Sequence, residues 1–175
     1  RRFNCGETRM TFDEAIRAAI EHHRAGRLGE AEQFFRQLIE VAPNVADLHQ
    51  HLAFVLEDGG RDAEAVVAYQ SAIQHAPQDA NLHGNLAAAL IRLKRWDEAE
   101  QICHAAIALD PASAQAHDRL GALFTERGRP EEALAHHQRA IELQSGFADA
   151  HYNLGVALHE LRRFDGAIAA YQRAI

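Results

Sequence analysis

Histidine is the residue type whose number and spacing first suggest chemistry. The chain has 12 histidines, and imidazole is the commonest metal-binding side chain in proteins. Four of them recur at intervals of 34 residues, namely His49, His83, His117 and His151. Equivalent residues on neighbouring packed helices lie about 8 to 10 Å apart, whereas zinc holds each ligand nitrogen at about 2 Å. We therefore predict no metal site, and a structural role for this series with one ring nitrogen of each histidine hydrogen-bonded.

The two cysteines are too few for the disulfide framework of a small secreted domain. A reducing compartment, and hence the cytoplasm, is the expected location. Cys103 aligns with the aromatic residues Phe35 and Tyr69 at the 34-residue interval, which predicts a buried, inert thiol. Cys5 lies in an N-terminal segment that we expect to be an unstructured tail, and it is assigned no function.

The chain also lacks the short motifs that position catalytic groups. It contains no GxxxxGK, HExxH, GxSxG or CxxC, which would cradle phosphate, bind zinc, place a nucleophile or form a redox pair. We therefore expect a protein that is not an enzyme and that uses no cofactor.

The 34-residue interval organises the whole chain. Pro43, Pro77 and Pro111 are spaced by it, and two longer series follow it. These are Ala31, Ala65, Ala99, Ala133 and Ala167, and Ile39, Ile73, Ile107, Ile141 and Ile175. A fixed period of this length is typical of repeat architectures. It predicts an N-terminal tail over residues 1–11 and a repeat domain over 12–175, with repeats at 12–45, 46–79, 80–113, 114–147 and a partial fifth at 148–175.

Within each repeat the apolar residues have helical spacing. In the third repeat Leu82, Leu86 and Leu90 define the first helix of a pair. A turn follows, marked by Gly26, Gly60 and Gly128 in three repeats, and then a second helix. Asp79 and Ser113 are suited to cap first helices, and Pro130 suits the first turn of a second helix. One such pair cannot bury its apolar face alone, so the pairs must stack on their neighbours.

The repeat resembles the tetratricopeptide repeat family. The resemblance covers about residues 12–175 and is closest at His151–Gly155, followed by Ala167, Tyr171 and Ala174. It implies an all-α, right-handed solenoid of about four and a half helix–turn–helix repeats that binds proteins or peptides. The chain departs from the family pattern where the His49 series replaces a large aromatic residue. It also departs at Cys103 and His137, which replace an aromatic in the second helix.

In such a stack the first helices form a concave groove. If the series Leu52, Leu86, Leu120 and Leu154 points into the stack, neighbouring positions turn toward this groove. The candidate peptide-binding residues on this basis are Arg17, His51, Phe54, Asn85, Arg119, Tyr152 and Asn153. The same phase also places Asp118 in the groove. Asparagine amides both donate to and accept from a peptide backbone, which suits an extended ligand.

Charge excludes two classes of partner. The chain has 18 basic and 25 acidic side chains, a formal charge of −7, which opposes binding to nucleic acid and to anionic lipid. No run of residues is apolar and long enough to span a bilayer. The expected partner is a protein or peptide.

Three functions remain open at this point. The first is a non-catalytic scaffold that binds an extended partner segment in the groove. The second is a substrate-presenting arm of a larger transferase whose catalytic domain lies beyond this chain. It is suggested because Asn85 and Asn153 resemble half of the asparagine ladder in the repeat arm of O-linked N-acetylglucosamine transferase. The third is self-assembly, with a homo-oligomer formed through the uncapped C-terminal repeat, although we expect continuation of the natural chain more than self-assembly to cover that face.

Overall fold

The structure is a computed structural model, and it describes residues 3–5 and 8–175. In this part of the chain ten helices follow two short strands. The strands are β1 (Phe3–Cys5) and β2 (Thr8–Met10). The helices are α1 (Phe12–Arg24), α2 (Leu28–Val41), α3 (Ala46–Asp58), α4 (Asp62–His75), α5 (Ala80–Arg92), α6 (Trp96–Leu109), α7 (Ala114–Glu126), α8 (Pro130–Leu143), α9 (Ala148–Glu160) and α10 (Phe164–Arg173). The prediction of helix–turn–helix pairs is confirmed.

The N-terminal segment differs from its prediction. It was expected to be an unstructured tail, but β1 and β2 pair antiparallel, with Phe3 opposite Met10 and Cys5 opposite Thr8. The backbone of this segment can therefore satisfy its own hydrogen bonds in a ladder. Arg1, Arg2, Gly6 and Glu7 lie outside the described residues, as does the side chain of Cys5.

Local sequence explains where several helices begin. The side chain of Thr11 accepts from the Glu14 backbone N–H, and the Glu14 carboxylate accepts from the Thr11 N–H, which forms a capping box for α1. Asp79 and Ser113 cap α5 and α7 through their side-chain oxygens, as predicted. Pro130 is in the first turn of α8, where its missing N–H costs no helical hydrogen bond.

The turn inside each helix pair has one residue with positive φ. Gly26, Gly60 and Gly128 adopt φ of 73°, 70° and 71°, a left-handed conformation that glycine reaches without steric cost. The other two turns place Lys94 and Arg162 there, with φ of 57° and 58°. The glycine positions confirm the predicted breaks, and the two non-glycine residues adopt the same backbone geometry.

The chain divides into two compact units, Arg1–Pro77 and Gln78–Ile175. In the first unit α3 packs on α2 and on α4. In the second unit α8 packs on α7 and on α9, and α9 also packs on α10. The alanine series of the second helices lies in the interior of each unit, and its members Ala31, Ala65, Ala99, Ala133 and Ala167 are all at most 2% exposed. Small side chains at these places let the backbones approach.

A further series was not recognised in the sequence. The residue before every second helix is an arginine: Arg27, Arg61, Arg95, Arg129 and Arg163. Arg61, Arg95 and Arg129 each hold the glutamate three residues later, with nitrogen–oxygen distances of 2.5 to 2.7 Å. These pairs secure the first turn of the helix at the surface, where each contributes little stability.

Candidate functional site

The first unit presents an aromatic cluster beside its first-helix surface. The ring of His51 stacks on Phe35 at a centroid distance of 5.4 Å and meets the edge of Phe54 at 6.1 Å. Phe54 in turn contacts Tyr69 edge-on at 6.0 Å. Burial lowers the pKa of His51. His51 and Phe54 therefore belong to the packing of α2, α3 and α4, with only part of each side chain accessible. Arg17, the remaining candidate in this unit, is exposed.

The second unit contains a polar cluster formed by Asp118, His137 and Asn153. The Nδ1 of His137 donates to Asp118 Oδ1 at 2.7 Å. The amide Nδ2 of Asn153 donates to both carboxylate oxygens of Asp118, at 3.2 and 3.0 Å. The cluster thus joins α7, α8 and α9 through one carboxylate.

Asp118 corrects the groove prediction. Helical phase placed it on the groove, but its side chain is 1% exposed and His137 is fully buried. The reason is contact with other helices: a buried carboxylate needs hydrogen-bond donors, and they come from His137 on the second helix of the same repeat and from Asn153 in the next repeat. Helical phase within one helix carries no information about such partners.

The close approach of α7 and α8 depends on Gly121. A Cβ added at Gly121 would lie 2.6 Å from the Cε1 of His137, well inside van der Waals contact. Gly155 has the same relation to Tyr171, with a Cβ at 2.5 Å from its ring. The sequence places Gly121 and Gly155 where the large residue of the second helix lies across the first helix.

A small trough lies beside the polar cluster on the first helices of the second unit. This trough, of about 220 Å³, is lined by Ala122, Thr125, Glu126, Tyr152, Asn153 and Val156. Tyr152 is 56% exposed, and its ring contacts Tyr171 at 5.6 Å. The structure therefore brings the candidates Tyr152 and Asn153 together on one accessible surface.

Asn85 and Arg119 do not line this trough. Asn85 is half-buried on α5, and Arg119 is half-buried on α7. The Nε of Arg119 is shielded from solvent and has no hydrogen-bond partner among the residues described. Their role in binding stays a prediction.

The periodic histidines have the structural role that was predicted. Each donates one ring nitrogen to a backbone carbonyl just before its helix: His49 to Pro43 at 2.7 Å, His83 to Asp79 at 3.0 Å, His117 to Pro111 at 3.3 Å and His151 to Ser145 at 2.9 Å. Among the side chains that the structure describes, no group of three or more His, Cys, Asp or Glu could hold a metal ion.

Cys103 is also as predicted, a buried thiol. It is 1% exposed, and burial raises its pKa to about 12, against a smaller opposing effect of the Arg119 charge. A thiol with this pKa is not a nucleophile at neutral pH.

Sequence models of one family match successive parts of the chain. Models described as tetratricopeptide repeat match residues 16–80 and 60–123, and one described as TPR repeat matches residues 121–162. The chain belongs to the tetratricopeptide repeat family. No curated protein sequence matches it significantly.

Solved structures share the tetratricopeptide fold over nearly the whole chain. The thermophilic TPR protein TTC0263 of Thermus thermophilus is 19% identical with a TM-score of 0.80, covering 94% of this chain and 90% of that one. MamA is 19% identical with a TM-score of 0.75, covering 93% and 89%. YrrB, described as a TPR protein with an unusual peptide-binding site, is 22% identical with a TM-score of 0.67, covering 94% and 85%. At these identities the likeness shows the fold alone.

Across the described ranges, no helix combines the length and the apolar character needed to cross a bilayer. The cytoplasmic location remains a prediction from cysteine content.

Proposed function

We propose that this chain is a non-catalytic protein-interaction module that binds an extended segment of a partner on its first-helix surface. The trough between α7 and α9 carries this proposal, because it places an exposed aromatic side chain next to an oriented amide. An aromatic side chain supplies contact area at little cost in side-chain entropy. Membership of a repeat family that typically binds through extended surfaces supports the same conclusion.

The polar cluster gives the amide of Asn153 a fixed direction. Since a carboxylate only accepts hydrogen bonds, the Asn153 nitrogen must be the atom that faces Asp118. The Asn153 oxygen is then left to accept a hydrogen bond from a peptide N–H in the trough. An amide held in advance loses less conformational entropy when a ligand binds.

A library of random peptides displayed on phage, selected against the purified chain, tests the proposal. Peptides selected by the wild-type protein should bind Tyr152→Ala at least about tenfold more weakly, as expected for the loss of a central aromatic contact. Phe164→Ala is the matched control, because Phe164 is a similarly exposed aromatic that does not line the trough. Equal losses in the two variants, or no loss in Tyr152→Ala, would refute binding in the trough.

Asn153→Ala is a weaker test than Tyr152→Ala. It removes the donor that holds Asp118, so it is expected to lower stability as well as affinity. The double variant Asn85→Ala with Asn153→Ala must therefore be compared at equal folded fraction.

The transferase-arm hypothesis needs a row of asparagine amides free to hold a peptide backbone. The bonds from Asn153 to Asp118 occupy the amide nitrogen, so only the oxygen of this amide remains for a peptide backbone. Capture of peptides that depends on Tyr152 but not on Asn85 would favour the scaffold over the transferase arm.

Self-assembly is a second candidate function, favoured by exposed apolar side chains in the last helix pair. Tyr152, Phe164 and Ile168 are all more than half exposed, and apolar patches of this kind mark contact surfaces. Sedimentation velocity over a range of concentrations should show association that Phe164→Ala and Ile168→Ala weaken. A concentration-independent monomer would exclude it.

A further inference from the structure

Two grooves of similar size each lie between a first helix and the second helices on either side of it. The α3 groove, of about 440 Å³, lies between α2, α3 and α4 in the first unit. The α9 groove, of about 400 Å³, lies between α8, α9 and α10 in the second unit. Their apolar linings are equivalent, three 34-residue intervals apart: Ile39 with Ile141, Leu52 with Leu154, and Ala68 with Ala170.

The equivalent position between α6, α7 and α8 is occupied by a side chain of the protein, and we call it the filled place. His136 stands at the position of Ala68 and Ala170. Its ring lies 5.4 Å from the ring of Phe124 and 6.1 Å from that of His117, almost parallel to the latter at 22°. The guanidinium of Arg129 covers Phe124 at 4.7 Å from the ring centre. A flat ring is thus the group that this place accommodates.

The ring that fills this place is uncharged at neutral pH. Burial lowers the pKa of His136, and the nearby rings of His117, His104 and His137 lower it further. The stacking partner therefore meets a neutral aromatic ring, whose contacts are those of a phenyl or indole group.

Both open grooves retain a histidine at the position of His117, the ring on which His136 stacks. His49 and His151 hold the place of His117, and each is fixed by its hydrogen bond to a backbone carbonyl, 2.7 Å to Pro43 and 2.9 Å to Ser145. Both histidines line their groove. The histidine ring is therefore present in all three places, and in the α3 groove it also stacks on His75 at 5.5 Å. Both open grooves have alanine in the position of His136 and leucine, Leu56 or Leu158, in the position of Phe124.

The open grooves differ from the filled one in a charge at the rim. Glu40 and Glu142 line the α3 and α9 grooves at equivalent positions, where the filled place has Ala108. Glu142 also contacts Arg139 at 3.0 Å, a solvent-exposed pair of small energy. Each groove also has one arginine in its lining, Arg36 or Arg173, and Arg36 is paired with Glu32 at 2.8 Å. The carboxylate beside each apolar groove favours a ligand whose ring adjoins a positive charge, and the net charge of −7 acts in the same direction.

We propose that the α3 and α9 grooves are docking sites for an aromatic side chain of a partner protein, adjoined by a lysine or arginine that pairs with Glu40 or Glu142. The ring takes the position that His136 occupies between α6 and α8 and stacks on His49 or His151. These sites are separate from the first-helix trough, so either proposal can fail without the other.

The dipeptide N-acetyl-phenylalanyl-arginine amide is a direct probe. In NMR titrations it should shift the methyl signals of Ile39 and Ile141, one in each groove. N-acetyl-alanyl-arginine amide and N-acetyl-leucyl-arginine amide are the ring-free controls. If either control shifts these methyls with equal affinity, or if the phenylalanyl probe shifts neither, the proposal is wrong.

Substitutions that copy the filled place provide the decisive test. Ala68→His should weaken probe binding at Ile39 by about tenfold or more while Ile141 is unaffected, and Ala170→His should do the reverse. Each variant is thus the control for the other. Glu40→Gln and Glu142→Gln should each weaken their own groove by about threefold, the size expected of an exposed charge pair.

The reverse change should open a third site. In His136→Ala the probe should begin to shift the methyl signal of Ile107, which stands in the place of Ile39 and Ile141. Circular dichroism checks that each variant folds. If the two histidine variants unfold, His136→Ala decides: a new shift at Ile107 supports the proposal, and its absence overturns it.

Discussion

The two units solve the same packing problem with different chemistry. In the first unit Tyr69 lies in an aromatic cluster with Phe54 and His51. In the second unit three residues stand at the Tyr69 position, and one of them, His137, bonds to the buried carboxylate of Asp118. The backbone is the same helix pair in both. The repeat therefore specifies helix positions through small residues, and leaves the large residue between the helices free to be aromatic or polar.

The difference has an energetic meaning. An aromatic residue gains stability from the apolar area it buries. A buried polar pair must first lose its hydration, and removal of one partner leaves the other unsatisfied. The polar cluster of the second unit should therefore be more sensitive to the loss of one member than the aromatic cluster of the first unit.

The largest expected effect is that of Asp118→Ala. It leaves His137 Nδ1 and Asn153 Nδ2 without an acceptor, and should lower the free energy of unfolding by about 2 to 4 kcal/mol. Urea denaturation followed by circular dichroism measures it. The control is Asp118→Gln with His137→Tyr, which restores the residue types of the first unit, Gln50 and Tyr69, and should recover most of the loss. If Asp118→Ala is as stable as the wild type, the polar cluster does not stabilise the second unit in the way described.

The next effect concerns the close approach at Gly121. Gly121→Ala puts a Cβ against the His137 ring, and overpacking of this kind costs about 1 to 3 kcal/mol. Gly84→Ala is the matched control, because a Cβ there meets no atom within 4 Å and alanine is favoured over glycine in a helix by up to about 1 kcal/mol. Thermal melts should therefore move in opposite directions. Parallel shifts would contradict this account of the packing.

A smaller effect should appear with pH. Because burial lowers the pKa of His51 and of His136 from 6.5, the unfolded chain binds protons more readily than the folded one. Stability should therefore fall as the pH drops below 6.5 and through the lower pKa values of the folded state. His51→Phe should flatten this decline by removing the contribution of the first unit. An unchanged slope between about pH 7.5 and 5.5 in urea titrations would show that His51 does not contribute.

The smallest response should be that of Cys103, which holds the Tyr69 position in its own repeat. With a pKa of about 12, its thiolate is a negligible fraction of the thiol at about pH 8. In a Cys5→Ser background, a maleimide should label the folded protein only as fast as it opens, and label it promptly in urea. Prompt labelling of the folded chain would place the thiol at the surface.

The sequence predicted the helices well because the repeat constrains the backbone at small and special residues. The spacing of Pro43, Pro77 and Pro111 predicted a stack of paired helices, and the caps at Asp79 and Ser113 were confirmed. The hairpin of β1 and β2 was missed, since it lies outside the repeat and has no periodic signal.

The candidate site was predicted less well, because its contacts join different helices. Helical phase correctly placed Tyr152 at an exposed position, but it also placed Asp118 there. The bonds from His137 and Asn153 that bury Asp118 depend on how neighbouring helices dock. The departure of His137 from the aromatic pattern was the one available signal, and a histidine at an aromatic position warrants a search for an acid on the adjoining helix.

The turns at Lys94 and Arg162 carry a consequence for how this chain can diverge. These long side chains hold a backbone angle that favours glycine, and the helices on either side keep the same pairing as in the other repeats. The docked helices therefore impose the turn geometry, at a local cost that the packing outweighs. Such turns can exchange residues over evolutionary time and take on new surface chemistry while the architecture persists.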